Sequence, residues 1–118
     1  MNNITNIIDL FEKHIGTNTP EVTFRSVNGV SFTDVPFKIA EEDGVYTYIY
    51  IPVLTKDYHY RGLVDAIVGL KYDLGETLAI MLNYMDSPKT VRYKKAYEEL
   101  QDWRRTAKEF AKSHFGIA

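Results

Sequence analysis

The sequence predicts an α+β fold: a small antiparallel sheet of three to four strands covered by helices, with a long helix at the C-terminal end. Three observations carry that expectation. Period-2 alternation is concentrated between residues 22 and 54, where the strongest hairpin signal, Asn28-Gly29, also lies. Helical periodicity dominates after residue 60. Strands grouped together and helices grouped after them pack as α+β rather than as an alternating parallel sheet. At 118 residues the chain is read as one domain, 1–118, large enough to bury a core without metal or disulfide staples.

Ile4, Ile7, Ile8, Phe11 and Ile15 fall at helical spacing, so a short helix is expected to open the chain. Asn2 or Asn3 would cap it, Gly16 would end it, and His14 would sit in its last turn, favourable to the helix dipole. Thr17-Asn18-Thr19-Pro20 reads as a turn. Val22 to Val27 alternates into Asn28-Gly29, which suits the positive φ of a type I′ turn, and Val30 to Thr33 returns as the partner strand. Pro36 lacks a ladder donor, so Val35–Ala40 is expected as an edge continuation or a bulged strand. Glu41-Glu42-Asp43-Gly44 is a tight polar turn, because the ligand spacing of a calcium loop is absent.

Val45 to Leu54 is the clearest strand. Val45, Thr47, Ile49, Ile51 and Val53 share the core face, while Tyr46, Tyr48 and Tyr50 share the other. Pro52 marks a strand end or a sheet edge. The tyrosine ladder is expected to be covered by the C-terminal helix through Leu100, Trp103 and Phe110. The alternative is an open aromatic contact surface.

Thr55 or Asp57 is expected to cap a helix burying Leu63, Val64, Ala66, Ile67, Val68 and Leu70. Gly62, Gly69 and the β-branched content leave a strand open as the alternative. Asp73 should cap a second short helix with Leu74, Leu78, Met81, Leu82 and Met85 inside. Ser87 is placed as N-cap and Pro88 as first residue of the last helix. In that helix Tyr93, Ala96, Tyr97, Leu100, Trp103, Ala107, Phe110, Ala111 and His114 fall on one arc. Lys94, Lys95, Glu98, Gln101, Asp102, Arg105, Glu109 and Lys112 fall opposite.

Net charge is −2, unevenly spread. Residues 1–57 hold four basic and eight acidic side chains, residues 58–88 two and four, and residues 89–118 eight and four. Polarised charge of this kind favours self-association or orients a partner, but it is too weak for a dedicated nucleic-acid binder. With no cysteine, thiolate chemistry and disulfides are excluded. No apolar run approaches the roughly 20 residues that span a bilayer, so no membrane is expected. Met1-Asn2-Asn3-Ile4-Thr5 does not resemble a secretory signal, so a cytoplasmic or virion location is expected.

No catalytic site, cofactor site or metal site is expected. His14, His59 and His114 are not at metal-ligand spacing, and neither a phosphate-binding glycine loop nor a Gly-x-Ser-x-Gly elbow is present. The densest polar run, Lys56-Asp57-Tyr58-His59-Tyr60-Arg61, reads first as a capped, solvated junction. Arg104 borders the apolar arc, where it can pack its stem and snorkel, pair with an internal acid, or project from an interface. The residues expected to contact a partner are Tyr46, Tyr48, Tyr50, His59, Arg61 and Arg104.

The block Leu70-Lys71-Tyr72-Asp73-Leu74-Gly75-Glu76-Thr77-Leu78-Ala79-Ile80 is followed by Asp86-Ser87-Pro88. Tyr93-x-x-x-Tyr97 and Ala107-Lys108-Glu109 come after it. Together these resemble a family of small uncharacterised proteins encoded by phages and prophages, notably of Bacteroides-type hosts. There a Lys-Tyr-Ser-x-x-Asp-Glu-x-Ala-Ile stretch precedes a Pro-led helix with spaced tyrosines. The resemblance covers roughly 40 residues and departs at Leu74-Gly75 and at Leu82-Asn83-Tyr84-Met85, where the family carries charges. It supplies no catalytic residue. It implies a phage or prophage gene for a virion or accessory component. The expected function is therefore a non-enzymatic phage protein acting by protein–protein association with itself or other phage proteins. It would be a virion structural or assembly component, homo-oligomeric or particle-bound, in the virion or host cytoplasm. The alternatives are a phage-encoded inhibitor of a host protein such as a defence nuclease, and a small enzyme using the Asp57–Arg61 cluster.

Overall fold

The computed structural model describes residues 7–18 and 20–117. It is α+β, with four antiparallel strands and three α-helices. Contacts divide the chain into two compact units, residues 1–62 and 63–118.

The first unit is the sheet, in the order β1 (His14–Gly16), β4 (Val45–Leu54), β3 (Val30–Glu42), β2 (Thr23–Val27). Asn28 and Gly29 take φ of 51° and 81°, closing β2 onto β3 with Val27 opposite Val30. Asp43 and Gly44 repeat the device at φ of 53° and 78°, closing β3 onto β4. β3 runs straight through Pro36. Its pairing with β2 stops at Asp34, so Pro36 sits where one side of β3 has no partner strand among the described residues. That is where a residue without an N–H is tolerated. The register with β4 slips between Lys38 and Ala40, leaving Ile39 as a bulge.

The core face is built from cross-strand pairs. Val35 opposes Ile51, Phe37 opposes Ile49 and Thr33 opposes Val53, and all six are buried. Each large apolar side chain buried here contributes about 1.5–3 kcal/mol. Thr33 satisfies its hydroxyl against that of Thr55 at 3.2 Å, at the start of a 3-10 turn over Thr55–Asp57.

The opening helix is largely replaced. A 3-10 turn covers Ile7–Leu10, and His14–Gly16 pairs with Tyr48, Thr47 and Tyr46 of β4. The segment is too short to hold a helix by propensity alone, and the open edge of β4 offers it ladder bonds instead. The cap expected at Asn2 or Asn3 lies outside the described residues.

The second unit is helical. α1 (Tyr60–Val68), whose first turn still belongs to the sheet unit, buries Leu63, Val64 and Ile67. In its last turn Ile67 O accepts twice, from Leu70 N at 3.1 Å and from the Trp103 indole Nε1 at 3.0 Å. The Lys71 ammonium stands 4.1 Å over the same indole ring. α2 (Leu74–Asp86) opens with a capping box, Asp73 accepting from Glu76 N at 2.7 Å and Glu76 accepting from Asp73 N. α3 (Val91–Phe115) pairs with α2 as a helical hairpin, with Tyr84 and Tyr97 stacked at 4.1 Å. Leu100, Ala107 and Ala111 are buried, and the remaining residues of the expected arc are half-buried. Gly116 ends α3 in the left-handed conformation at φ 67°.

Two boundaries shift. Ser87 closes α2, its N–H donating to Asn83 O, and is therefore not the N-cap of α3. Thr90 takes that place after a turn through Pro88. The larger correction concerns α2, which buries none of its residues.

Candidate functional site

Three surfaces carry the residues of interest. The first is the face of the sheet opposite the core. Register puts His14 opposite Tyr48, Lys38 also opposite Tyr48, and Pro36 opposite Tyr50. The tyrosines are half-buried, and the neighbours found for them come from the sheet itself. His14 stacks on Tyr48 at 5.4 Å and meets Tyr50 edge-on at 5.3 Å, while Tyr48 and Tyr50 are edge-to-face at 5.6 Å. Lys38 lies 4.9 Å from the Tyr46 ring and pairs with Glu41 at 2.7 Å.

Beside this aromatic cluster is a cavity of about 340 Å³ reaching from Phe11, Glu12 and His14 across Tyr50 and Pro52 to Thr23, Arg25 and Asp34. Asp34 is 8% exposed, and Arg25 donates its Nε to Asp34 Oδ2 at 2.6 Å. The Arg25 guanidinium also covers the Phe32 ring at 4.7 Å. Burial first, then Tyr48 and the charge of Asp34, holds the Tyr50 phenol above the usual tyrosine range. Tyr50 therefore stays a neutral donor here. The cavity offers hydrogen bonds and ring faces, and its Arg25 and Asp34 charges are paired with each other across the strands.

Asp34 and Arg25 were not foreseen. Their meeting follows from the Asn28-Gly29 turn, which sets Thr23 opposite Asp34 and Arg25 opposite Phe32. The diagonal neighbours Arg25 and Asp34 then share a face.

The second surface is the junction before α1. Gly62 N donates to His59 Nδ1 at 3.2 Å, so His59 caps α1, where Thr55 or Asp57 was expected. A Cβ at Gly62 would overlap the Asp57 carbonyl oxygen, which accounts for a glycine in this first turn. Burial raises the Tyr58 phenol above its usual range. Arg61 is exposed.

The third surface is α2. Leu74, Leu78, Leu82 and Met85 are 74%, 50%, 62% and 73% exposed, although they were expected inside. At 100° per residue they form one stripe, beside the arc of Thr77, Ile80, Met81 and Tyr84 that is half-buried. The helix has two apolar faces, and α3 takes only one. Arg104 on α3 is half-buried and makes no ion pair among the described residues.

Among the described residues no three His, Asp or Glu side chains gather as metal ligands would, and no helix is long and apolar enough to cross a membrane. Compared with known proteins, the chain matches no family model, no curated protein and no solved structure.

Proposed function

We propose that this protein is a non-enzymatic association module, working by contact with copies of itself or with other proteins of a phage particle. The exposed apolar stripe of α2 carries the reading. Four large side chains in water along one helix face cost solubility and are retained where something covers them. The resemblance of the C-terminal half to phage and prophage proteins narrows the setting to a virion structural or assembly component, in the particle or the host cytoplasm.

A second reading shares the chemistry and differs in the partner: an inhibitor that covers a host protein, such as a defence nuclease. The half-buried rings of Tyr46, Tyr48 and Tyr50 beside His14 favour it, since tyrosine faces of this kind anchor interfaces. An enzyme on the Asp57–Arg61 run gains no support, because His59 Nδ1 accepts from Gly62 N.

The test is sedimentation of the pure protein together with fractionation of the source particles and their assembly intermediates. A component of the particle sediments with it or self-associates. A strict monomer absent from particles and intermediates ends the reading. Pull-down from infected host lysate separates the two cases: a particle component retains phage neighbours, an inhibitor a single host protein.

A further inference from the structure

We propose that the α2 stripe is a homotypic interface, filled by the same stripe of a second copy with the two α2 helices parallel. This rests on the reading of α2 as a docking face. The exposed area suits a second copy. The four stripe residues, exposed by half to three-quarters, offer roughly 250 Å² of apolar surface. That is about half the apolar share of the roughly 800 Å² each partner gives a standard interface. Contacts from the adjoining α3 supply the rest. No charged residue interrupts the arc from Leu74 to Leu82, so a second copy covers it without desolvating a charge.

Charge then selects the orientation. α2 carries Glu76 and Asp86 and no cation, whereas residues 89–118 carry eight cations against four acids. Going around α2 in the helical sense come the arc facing α3, then the stripe, then the flank with Asp86 and Ala79. A two-fold axis that pairs antiparallel helices would set the Asp86 flanks together, with Asp86 beside the Asp73–Glu76 turn of the other copy. Like charges would meet. A two-fold axis running along the helices sets each Asp86 flank against the α3 side of the other copy. The Tyr84–Tyr97 stack fixes the level there: two residues further along α2, Asp86 lies abreast of Lys95, with exposed Lys94 beside it on the stripe's side. Each Asp86 thus meets a Lys94 of the second copy.

Sedimentation equilibrium on the full chain tests this, with thermal melts confirming that each variant folds. Wild type is expected to dimerise. Leu82→Glu with Met85→Glu should weaken dimerisation at least about 100-fold, and Asp86→Lys or Lys94→Glu alone about ten-fold each. An equimolar mixture of the Asp86→Lys and Lys94→Glu proteins should return to near wild-type affinity, because both cross-contacts are then opposite in sign. The chain has no cysteine, so Met85→Cys gives a second readout. It should form a disulfide-linked homodimer under mild oxidation only if the helices are parallel. A dimer that ignores the Leu82 and Met85 changes, a mixture that stays weak, or Met85→Cys cross-linking only to Leu74→Cys overturns the proposal. A monomeric wild type overturns it too. In that case, loss of particle association in the Leu82→Glu, Met85→Glu protein would keep the docking reading with another occupant, and unchanged particle association would remove both.

Discussion

Strand β4 and helix α2 carry similar densities of large apolar side chains and dispose of them in opposite ways. β4 alternates, so Ile49, Ile51 and Val53 all point to one side and meet Phe37, Val35 and Thr33 there. α2 spreads its apolar residues over about half of its circumference. α3 covers the arc of Ile80 and Tyr84 and leaves Leu74, Leu78, Leu82 and Met85 in water. One element buries its hydrophobicity in the fold, the other leaves much of it on the surface. The difference teaches that apolar content sets how much surface must be covered, while the width of the apolar arc sets whether a single neighbour can cover it.

Substitutions at four positions bear on that contrast. Ile51→Ala should cost about 2–5 kcal/mol in urea unfolding, since Ile51 is almost fully buried between β3 pairs. A loss well under 1 kcal/mol would mean the sheet core is not packed as described. Tyr48→Ala should fall between core and surface, near 2 kcal/mol, from part of the ring's burial plus its stack on His14. A melt identical to wild type would show that the ring cluster adds nothing to stability. His59→Ala should cost about 1 kcal/mol through loss of the α1 cap, and His59→Asn should recover most of it. Failure of that rescue would assign the loss to something other than capping. Leu82→Gln, compared with wild type at concentrations where both are monomeric, should change stability by no more than about 0.5 kcal/mol. A large loss there would place Leu82 in a core after all and erase the contrast with β4.

Much of the sheet was legible because its signals are local. Asn28-Gly29 has one good backbone solution, and it dictates the β2–β3 register. Val45 to Leu54 alternates without a break and forms a strand with those bounds. The α3 arc was legible for the same reason, over seven turns. What was missed depends on partners distant in sequence. His14 became a strand residue because β4 had an edge to fill. Leu82 looked internal because helical periodicity reports an apolar face and not its neighbour. At Ser87 two helix ends compete for one residue, and closing α2 won. Of the residues expected to bind, Tyr48 and Tyr50 gather with His14, while His59 is occupied in a cap and Arg61 and Arg104 stand on other elements.

The bond from Trp103 to Ile67 O has a spectroscopic consequence. Trp103 is the only indole in the sequence, and Ile67, which accepts its N–H, and Lys71, over its ring, lie with it in residues 63–118. Red-edge excitation therefore follows the bond between α3 and the end of α1, and melting there should move the emission as the indole exchanges a carbonyl for water. Circular dichroism reads strands and helices together. If the two halves unfold as one cooperative block, the two curves superimpose. If they separate, the emission curve identifies which half opened first, with no label added to the chain.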